Sequence, residues 1–584
     1  MERYRRLDVA GRPARGRVIR TLVLVLLLST SPLQSLGQAS QQGWPVGNDI
    51  TTKIRELLEQ SRWQEIVDEL RPDSLTASDL RYYYGSALAH LGRWGEARRV
   101  LLEGQRMASQ DKRFPVELAG VAFKQKRYPE AAAWLRRGLK IDPTDAYAKD
   151  FLGTVYFLQG NLEAALKYWN RIDKPQIASL RTDHSLQIRP ALLDRALAFA
   201  PASTLFLPDL LTSRARVKGL GVFVAPDFEL AAREDATFDV VLNLQERNGW
   251  GKDTWETLLS TFRGVAYETV YLDYFNQGHS AINFASLLRW DKEKRRLAAD
   301  LSGPWHQNPK WRYRLGVDFR NENWAIRNSF TGIAPVLASL NLRREAASAD
   351  ITSFNSGRWG WCAGMELSHR DYRNVDQGTA LTPGLLLEGT QLKQLSGIQY
   401  ELWRIPDRRL IISTSASSQL GRIWSQPGQV FAKLQSSLAA RWFPQSQGED
   451  YATHVQIRGG ETAGRSPFDE LYMLGLERDN DLWLHAHIGT RDGLKGSAPQ
   501  GRGYFLTNTE VDKNLYSNGL LSLKLGPILD SGKITDPSEN LGTRGWLWDT
   551  GLQAKLRVLG VGLTFTWGKD LRTGNNAFYF TTAR

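Results

Sequence analysis

At 584 residues the chain is longer than one hydrophobic core supports, so several domains are expected. The net charge of +13 falls by five once residues 1–20 are set aside, with seven Arg against Glu2 and Asp8, and the mild basic excess that remains does not call for nucleic acid. A single cysteine, Cys362, excludes an internal disulfide. No internal run reaches the roughly 20 apolar residues of a spanning helix, so any membrane passage has to be by strands.

The chain opens on Arg3, Arg5, Arg6, Arg12, Arg15, Arg17 and Arg20, then the apolar run Leu22 to Leu28, then small residues around Ser35, Gly37 and Ala39. This pattern predicts an export signal over residues 1–39, cut after Gly37 or Ala39. No Cys follows the cut, which argues against a lipid anchor. Over residues 47–174, Gly85, Ala119 and Gly153 recur every 34 positions, and so do Ala97, Ala131 and Ala165. The chain here resembles tetratricopeptide repeats, whose period is 34, with small residues where paired helices approach closely. An atypical hairpin from about Ile54 to Leu70 is expected to cap the array. Such an array offers a concave surface for a peptide or partner protein, or serves as a spacer.

Residues 177–248 change character. A short extended piece is followed by helices over Pro190–Phe199 and Leu207–Lys218, the second stopped by Gly219, and then by strands Val222–Leu230 and Phe238–Glu246. In the last strand Phe238, Val240, Leu242 and Leu244 alternate with polar neighbours. This β-α-α-β-β order resembles a POTRA (polypeptide-transport-associated) module.

From about Thr254 to the C-terminus, apolar and polar residues alternate. Trp311, Tyr313, Leu315, Val317 and Phe319 form one face, and Arg312, Arg314, Asp318 and Arg320 belong to the other. A strand with one oily and one charged face suits a barrel wall between lipid and an aqueous lumen. The length over 254–584 predicts about 16 antiparallel strands, an even number, and the 20 Trp, 19 Tyr and 22 Phe suffice for interfacial girdles.

The stretch from Pro467 to Asp530 carries the most specific signal: Pro467-Phe468, Leu474-Gly475, a long loop, the strand Tyr504 to Glu510, and Gly526-Pro527-Ile528-Leu529-Asp530. It resembles the bacterial surface-antigen superfamily of outer-membrane assembly and two-partner-secretion translocases, built from POTRA modules and a β-barrel. The resemblance implies a loop folded into the lumen whose tip Arg, in an Arg-Gly-aromatic motif, meets acidic side chains at positions matched by Glu510 and Asp530. Here the tip reads Leu484-His485-Ala486-His487, so His485 stands in for the Arg, with Arg478 and Arg491 as flanking cations. Arg502-Gly503-Tyr504 lies too close to Glu510 to be the tip. Phe580 matches the aromatic near the end of the last strand, with Thr581 to Arg584 overhanging it.

His485 and His487 share a face if extended, but no third ligand is evident, so no metal site is expected. No nucleophile elbow, P-loop or dinucleotide fingerprint appears, and neither enzymatic activity nor a cofactor is expected. The expectation is an outer-membrane translocase of a Gram-negative bacterium that secretes or inserts polypeptides, its N-terminal domains periplasmic. Its partners would be a polypeptide client or periplasmic protein and the lipid bilayer. The alternatives are an exopolysaccharide-export porin with a periplasmic repeat domain and a repeat scaffold anchored by a plugged barrel.

Overall fold

The computed structural model describes residues 49–584, apart from 71–74, 76, 183–184, 328–335, 378–380, 382, 426–427, 447, 519–520, 537–540, 559–560 and 584. The expected export signal lies outside the described residues. The chain divides into two compact units, one built from the chain up to Arg181 with 201–205 and 229–241, the other from the remainder.

The first unit is mostly helical. Its hairpins are α1 (Asp49–Glu59) with α2 (Trp63–Glu69), α3 (Ser78–His90) with α4 (Trp94–Met107), α5 (Arg113–Lys124) with α6 (Tyr128–Ile141), and α7 (Ala146–Leu158) with α8 (Leu162–Trp169). Asp145 and Asn161 cap α7 and α8 by accepting the amides of Ala148 and Ala164. The 34-residue period has a steric cause. A Cβ on Gly85 would sit 2.7 Å from Leu101 Cγ, one on Gly153 would run into the Trp169 indole, and Ala97, Ala119, Ala131 and Ala165 are fully buried. Gly104, where a Cβ would strike Phe114, plays the same part outside that period.

Next come β1 (Ile177–Thr182), α9 (Pro190–Ala196), α10 (Leu207–Leu220), β2 (Phe223–Ala232) and β3 (Phe238–Glu246), with a three-stranded sheet in the order β1-β3-β2. The stop of α10 is Gly221, at φ 72°, and not Gly219, which is inside the helix. Helix α10 is held by turns of the strands that follow. Arg216 donates to the carbonyls of Phe354 and Asn355, both at 3.2 Å, Asn283 donates to Leu220 O at 2.9 Å, and Arg312 donates to Gly219 O.

The expected strand at Thr254 is instead a helix, α11 (Thr254–Phe262). Asp253 accepts the amide of Glu256, an N-cap that the alternation over later residues does not reveal. The strands then run β4 (Thr269–Val270), β5 (Tyr274–Gln277), β6 (Ile282–Arg289), β7 (Lys294–Trp305), β8 (Asn308–Arg327), β9 (Val336–Ser353), β10 (Trp359–Gln377), β11 (Gly389–Ile405), β12 (Leu410–Trp424), β13 (Gln429–Trp442) and β14 (Tyr451–Gly464). Four two-residue strands lie in the long loop: β15 (Tyr472–Met473), β16 (Thr490–Arg491), β17 (Leu494–Lys495) and β18 (Gln500–Gly501). The wall resumes with β19 (Gly503–Ser517), β20 (Leu521–Thr535), β21 (Leu547–Val558), β22 (Val561–Asp570) and β23 (Asn576–Ala583).

The sheet closes into a barrel. Because β4 and β5 follow one another along β6, and β14 pairs directly with β19, the described wall has fifteen strands, close to the estimate of 16 but odd. Successive wall strands are antiparallel, so β23 and β4–β5, which meet where the ring closes, run in the same direction.

The wall is inside out relative to a soluble core. Leu315, Val317, Phe319, Met365, Leu434 and Phe565 are exposed on its outer face, whereas Arg370, Glu322, Lys393 and Asp530 are buried on the other. Exposed Trp305, Trp359, Trp403 and Trp442 cluster at one set of strand ends and Trp290, Trp424, Trp546 and Trp548 at the opposite set. Two aromatic girdles around an apolar band match a wall in lipid. Phe580 lies inside β23, paired with Phe565, and Thr581 and Thr582 continue the ladder opposite Thr564 and Leu563, so they do not overhang the strand.

Candidate functional site: the lumen loop and the seam

Residues 465–502 connect β14 to β19. Inside this loop β15 pairs with β18, and β16 with β17 around Asp492-Gly493, both residues at positive φ, 53° and 80°. That is the tight hairpin an Asp-Gly pair favours, a signal the sequence carried but the reading above did not use.

Three groups of loop side chains reach three arcs of the wall, which puts the loop across the lumen. Near its start, Arg370 Nη1 lies 2.9 Å from Asp469 and the Tyr372 hydroxyl donates to Asp469 at 3.0 Å. Lys393 Nζ is 2.9 Å from Glu470, and Lys433 donates to the Glu470 carbonyl at 2.6 Å. These partners come from β10, β11 and β13. On the next arc, Asp479 receives Arg289 of β6 at 2.9 Å, Arg296 of β7 at 2.6 Å and Lys495 at 3.0 Å, and Lys495 also meets Glu322 of β8 at 2.7 Å.

The third arc holds the tip. His485 Nδ1 is 2.6 Å from Asp530 Oδ2, and the His485 amide donates to the same oxygen at 3.0 Å. The Ala486 amide donates to Asp549 at 2.7 Å, and His487 Nδ1 lies 3.0 Å from Asp549 Oδ2. Asn508 of β19 donates to the other oxygen of Asp530 at 2.7 Å. The close approach depends on Gly568 of β22, where a Cβ would overlap the His485 carbonyl.

The structure therefore brings His485 to Asp530 but leaves Glu510 elsewhere. The cation at Glu510 is Lys555, 2.6 Å away and shared with Asp512 at 2.8 Å, in place of Arg478 or Arg491. Arg491 lies in β16. Arg478 stacks on Tyr267 with its guanidinium carbon 3.2 Å from the ring centroid and donates to the Tyr267 carbonyl at 3.3 Å. Arg502 sits at the foot of the loop, its amide donating to Thr535 O at 2.9 Å. Buried charges of this kind cost several kcal/mol each when left unpaired, so each pairing is a strong constraint on the loop. Asp469, Glu470, Asp479, His487 and Asp549 were not singled out from sequence as anchors at all, except His487 as a tip residue.

Tyr267 links the loop to the closure of the ring. Its ring stacks on Phe580 of β23, centroids 5.5 Å apart, and its hydroxyl donates to the Phe580 carbonyl. On that side β23 meets, among the described residues, the two-residue strand β4, while its other edge pairs with β22 over eight positions. Beside the seam stands α11. Trp255, Leu258, Leu259 and Phe262 are exposed on it, while Glu256 and Ser260 are buried, Glu256 within 3.1 Å of Arg247.

A tetratricopeptide repeat family model matches residues 85–146. No curated protein sequence matches the chain. Among solved structures, BamA from Haemophilus ducreyi lacking POTRA domains 1–3 is similar at 10% identity, with 70% of this chain and 84% of that one covered and a TM-score of 0.40. CdiB from Escherichia coli is similar at 12% identity, covering 70% and 76%, with a TM-score of 0.43. MamA is similar at 16% identity over 20% of this chain and 71% of that one, with a TM-score of 0.20. The chain thus joins tetratricopeptide repeats to a closed β-barrel of successive antiparallel strands with a loop held in its lumen.

Proposed function

We propose that this protein is an outer-membrane translocase of a Gram-negative bacterium that secretes or inserts polypeptides. The repeats and the β-α-α-β-β module, a POTRA-like unit, take up an extended client in the periplasm. The client then leaves along the seam by pairing with β23.

The observation that carries this reading is the short seam at which the wall closes, between β23 and the two residues of β4. The free edge of β23 faces a strand of two residues, so among the described residues most of the backbone donors and acceptors on that edge lack a ladder partner. An under-paired strand edge accepts another strand through main-chain hydrogen bonds, with little dependence on client sequence. The pinned loop supports the same reading, because passage through the lumen has to break several buried ion pairs first. It counts against a freely open sugar porin, and it suits the anchored scaffold equally.

Photocrosslinking in cells separates the three. A photoreactive residue at Phe578, the outer end of β23, is expected to capture polypeptide that protease digestion removes, and the same residue at Met365, across the wall, is expected to capture none. Glycan adducts, or equal capture at both positions, overturn the proposal. In planar bilayers the translocase passes small flickering currents, the porin a large steady one and the anchor none.

A further inference from the structure

The sequence offers no third metal ligand beside His485 and His487. The fold supplies two, although around His487 alone. The His487 imidazole, the Asp549 carboxylate at the start of β21 and the Asp570 carboxylate at the end of β22 each place one donor atom within 4.8 Å of the other two. All three side chains are buried. Asp549 and Asp570 are direct cross-strand partners, so the ladder itself fixes their spacing.

The charge around these groups does not balance. Asp570 accepts the Arg572 amide at 2.9 Å and the Thr573 hydroxyl, both neutral donors. Asp549 Oδ2 takes the Ala486 amide and His487, while Asp549 Oδ1, on a side chain with no exposed surface, has no hydrogen-bond partner. Among the described residues no Lys or Arg forms an ion pair with either carboxylate. The other loop anchors behave differently, since Asp469, Glu470 and Asp479 each have cationic partners. Two buried carboxylates beside one imidazole carry an excess negative charge that costs free energy unless a cation or protons offset it.

We propose that His487, Asp549 and Asp570 bind a divalent transition-metal ion. One imidazole nitrogen and two carboxylate oxygens form a borderline donor set suited to Zn²⁺, with bonds of about 2.0–2.2 Å and room for a water in a further position. Donors bound to one such ion lie about 3–4 Å apart, so from separations of up to 4.8 Å the triad closes by at most about 1–2 Å on binding. The ion ties the loop tip to β21 and β22, whereas the His485–Asp530 pair holds its neighbour without metal. This inference stands on the triad alone and survives the failure of the translocation reading.

The test uses the full-length protein in detergent, stripped with chelator and titrated with Zn²⁺ against a chromogenic competitor. One equivalent is expected to bind. His487→Ala and Asp570→Asn should each weaken binding by about 100-fold or more, given that even supporting groups outside the ligand set are worth 10–100-fold. Asp142→Asn, in the helical unit, should leave it unchanged. Co²⁺ gives a second readout, a visible d–d spectrum lost in Asp570→Asn, and retained heat-modifiable gel mobility shows that each variant has folded. Absence of stoichiometric Zn²⁺ binding, or an affinity unaltered in folded Asp570→Asn, overturns the site and leaves His487 and Asp549 as a hydrogen-bonded pair only.

Discussion

Asp479 is one carboxylate serving three cations, and its removal tests how the loop is held. Asp479→Asn leaves Arg289, Arg296 and Lys495 facing one another with a neutral amide between them, and loss of a partner from a buried pair costs on the order of 3–5 kcal/mol. The expected outcome is a loop that opens to protease and a raised single-channel conductance; a wild-type cleavage pattern and current would show that the other two arcs suffice. In the helical unit, Asp142 is held below the ordinary carboxylate range by the Lys112 ammonium and by the Thr144 hydroxyl and amide. Its contribution to stability is complete above about pH 4, the unfolded carboxylate value, and is lost as the pH falls toward the lower folded value. Thermal melts followed by helical circular dichroism should therefore show a smaller loss of Tm between pH 5 and 3 in Asp142→Asn than in wild type. At this scale His485 and Asp530 were legible because a motif placed them. Lys555 was not, because a separation of 45 positions from Glu510 means nothing until the register of β19, β20 and β21 is known.

Among elements, the strands were legible wherever a period of two persisted. β13 shows the consequence, with Leu434 exposed on the outer face and Lys433 and Gln435 facing the lumen. Leu434→Arg puts a charge into hydrocarbon at a cost of about 2–4 kcal/mol near the midplane, whereas Gln435→Arg meets water. Folding into lipid vesicles, read as the folded band on unboiled gels, is expected to drop for the first and hold for the second; equal yields would refute a lipid-facing outer wall. Helix α11 went unrecognised although Trp255, Leu258, Leu259 and Phe262 have the spacing i, i+3, i+4, i+7 and Asp253 stands at its N-cap. Its apolar stripe is turned outward and its Glu256 inward, the reverse of a soluble amphipathic helix. The extent of β23 was also missed, because Thr581 and Thr582 are strand residues only through the partners that β22 presents.

For the molecule as a whole, an outer surface of exposed leucine, phenylalanine and tryptophan predicts that the mature protein sediments with membranes, resists carbonate extraction and dissolves only in detergent. Unboiled in SDS it should migrate faster than after boiling. Recovery as a monomer in buffer alone would remove the basis for a lipid-facing wall. The period of 34 and the long alternation were readable from residue order, because helix pairing and strand pleating are local geometries that repeat their demands at fixed intervals. Which charges meet was not readable. Closing the ring brings Tyr267 to Phe580, 313 positions away, and the loop to three arcs of the wall at once. Only that closure decides that a helix stands at the seam, that Lys555 rather than the loop serves Glu510, and that His487 shares a buried corner with Asp549 and Asp570.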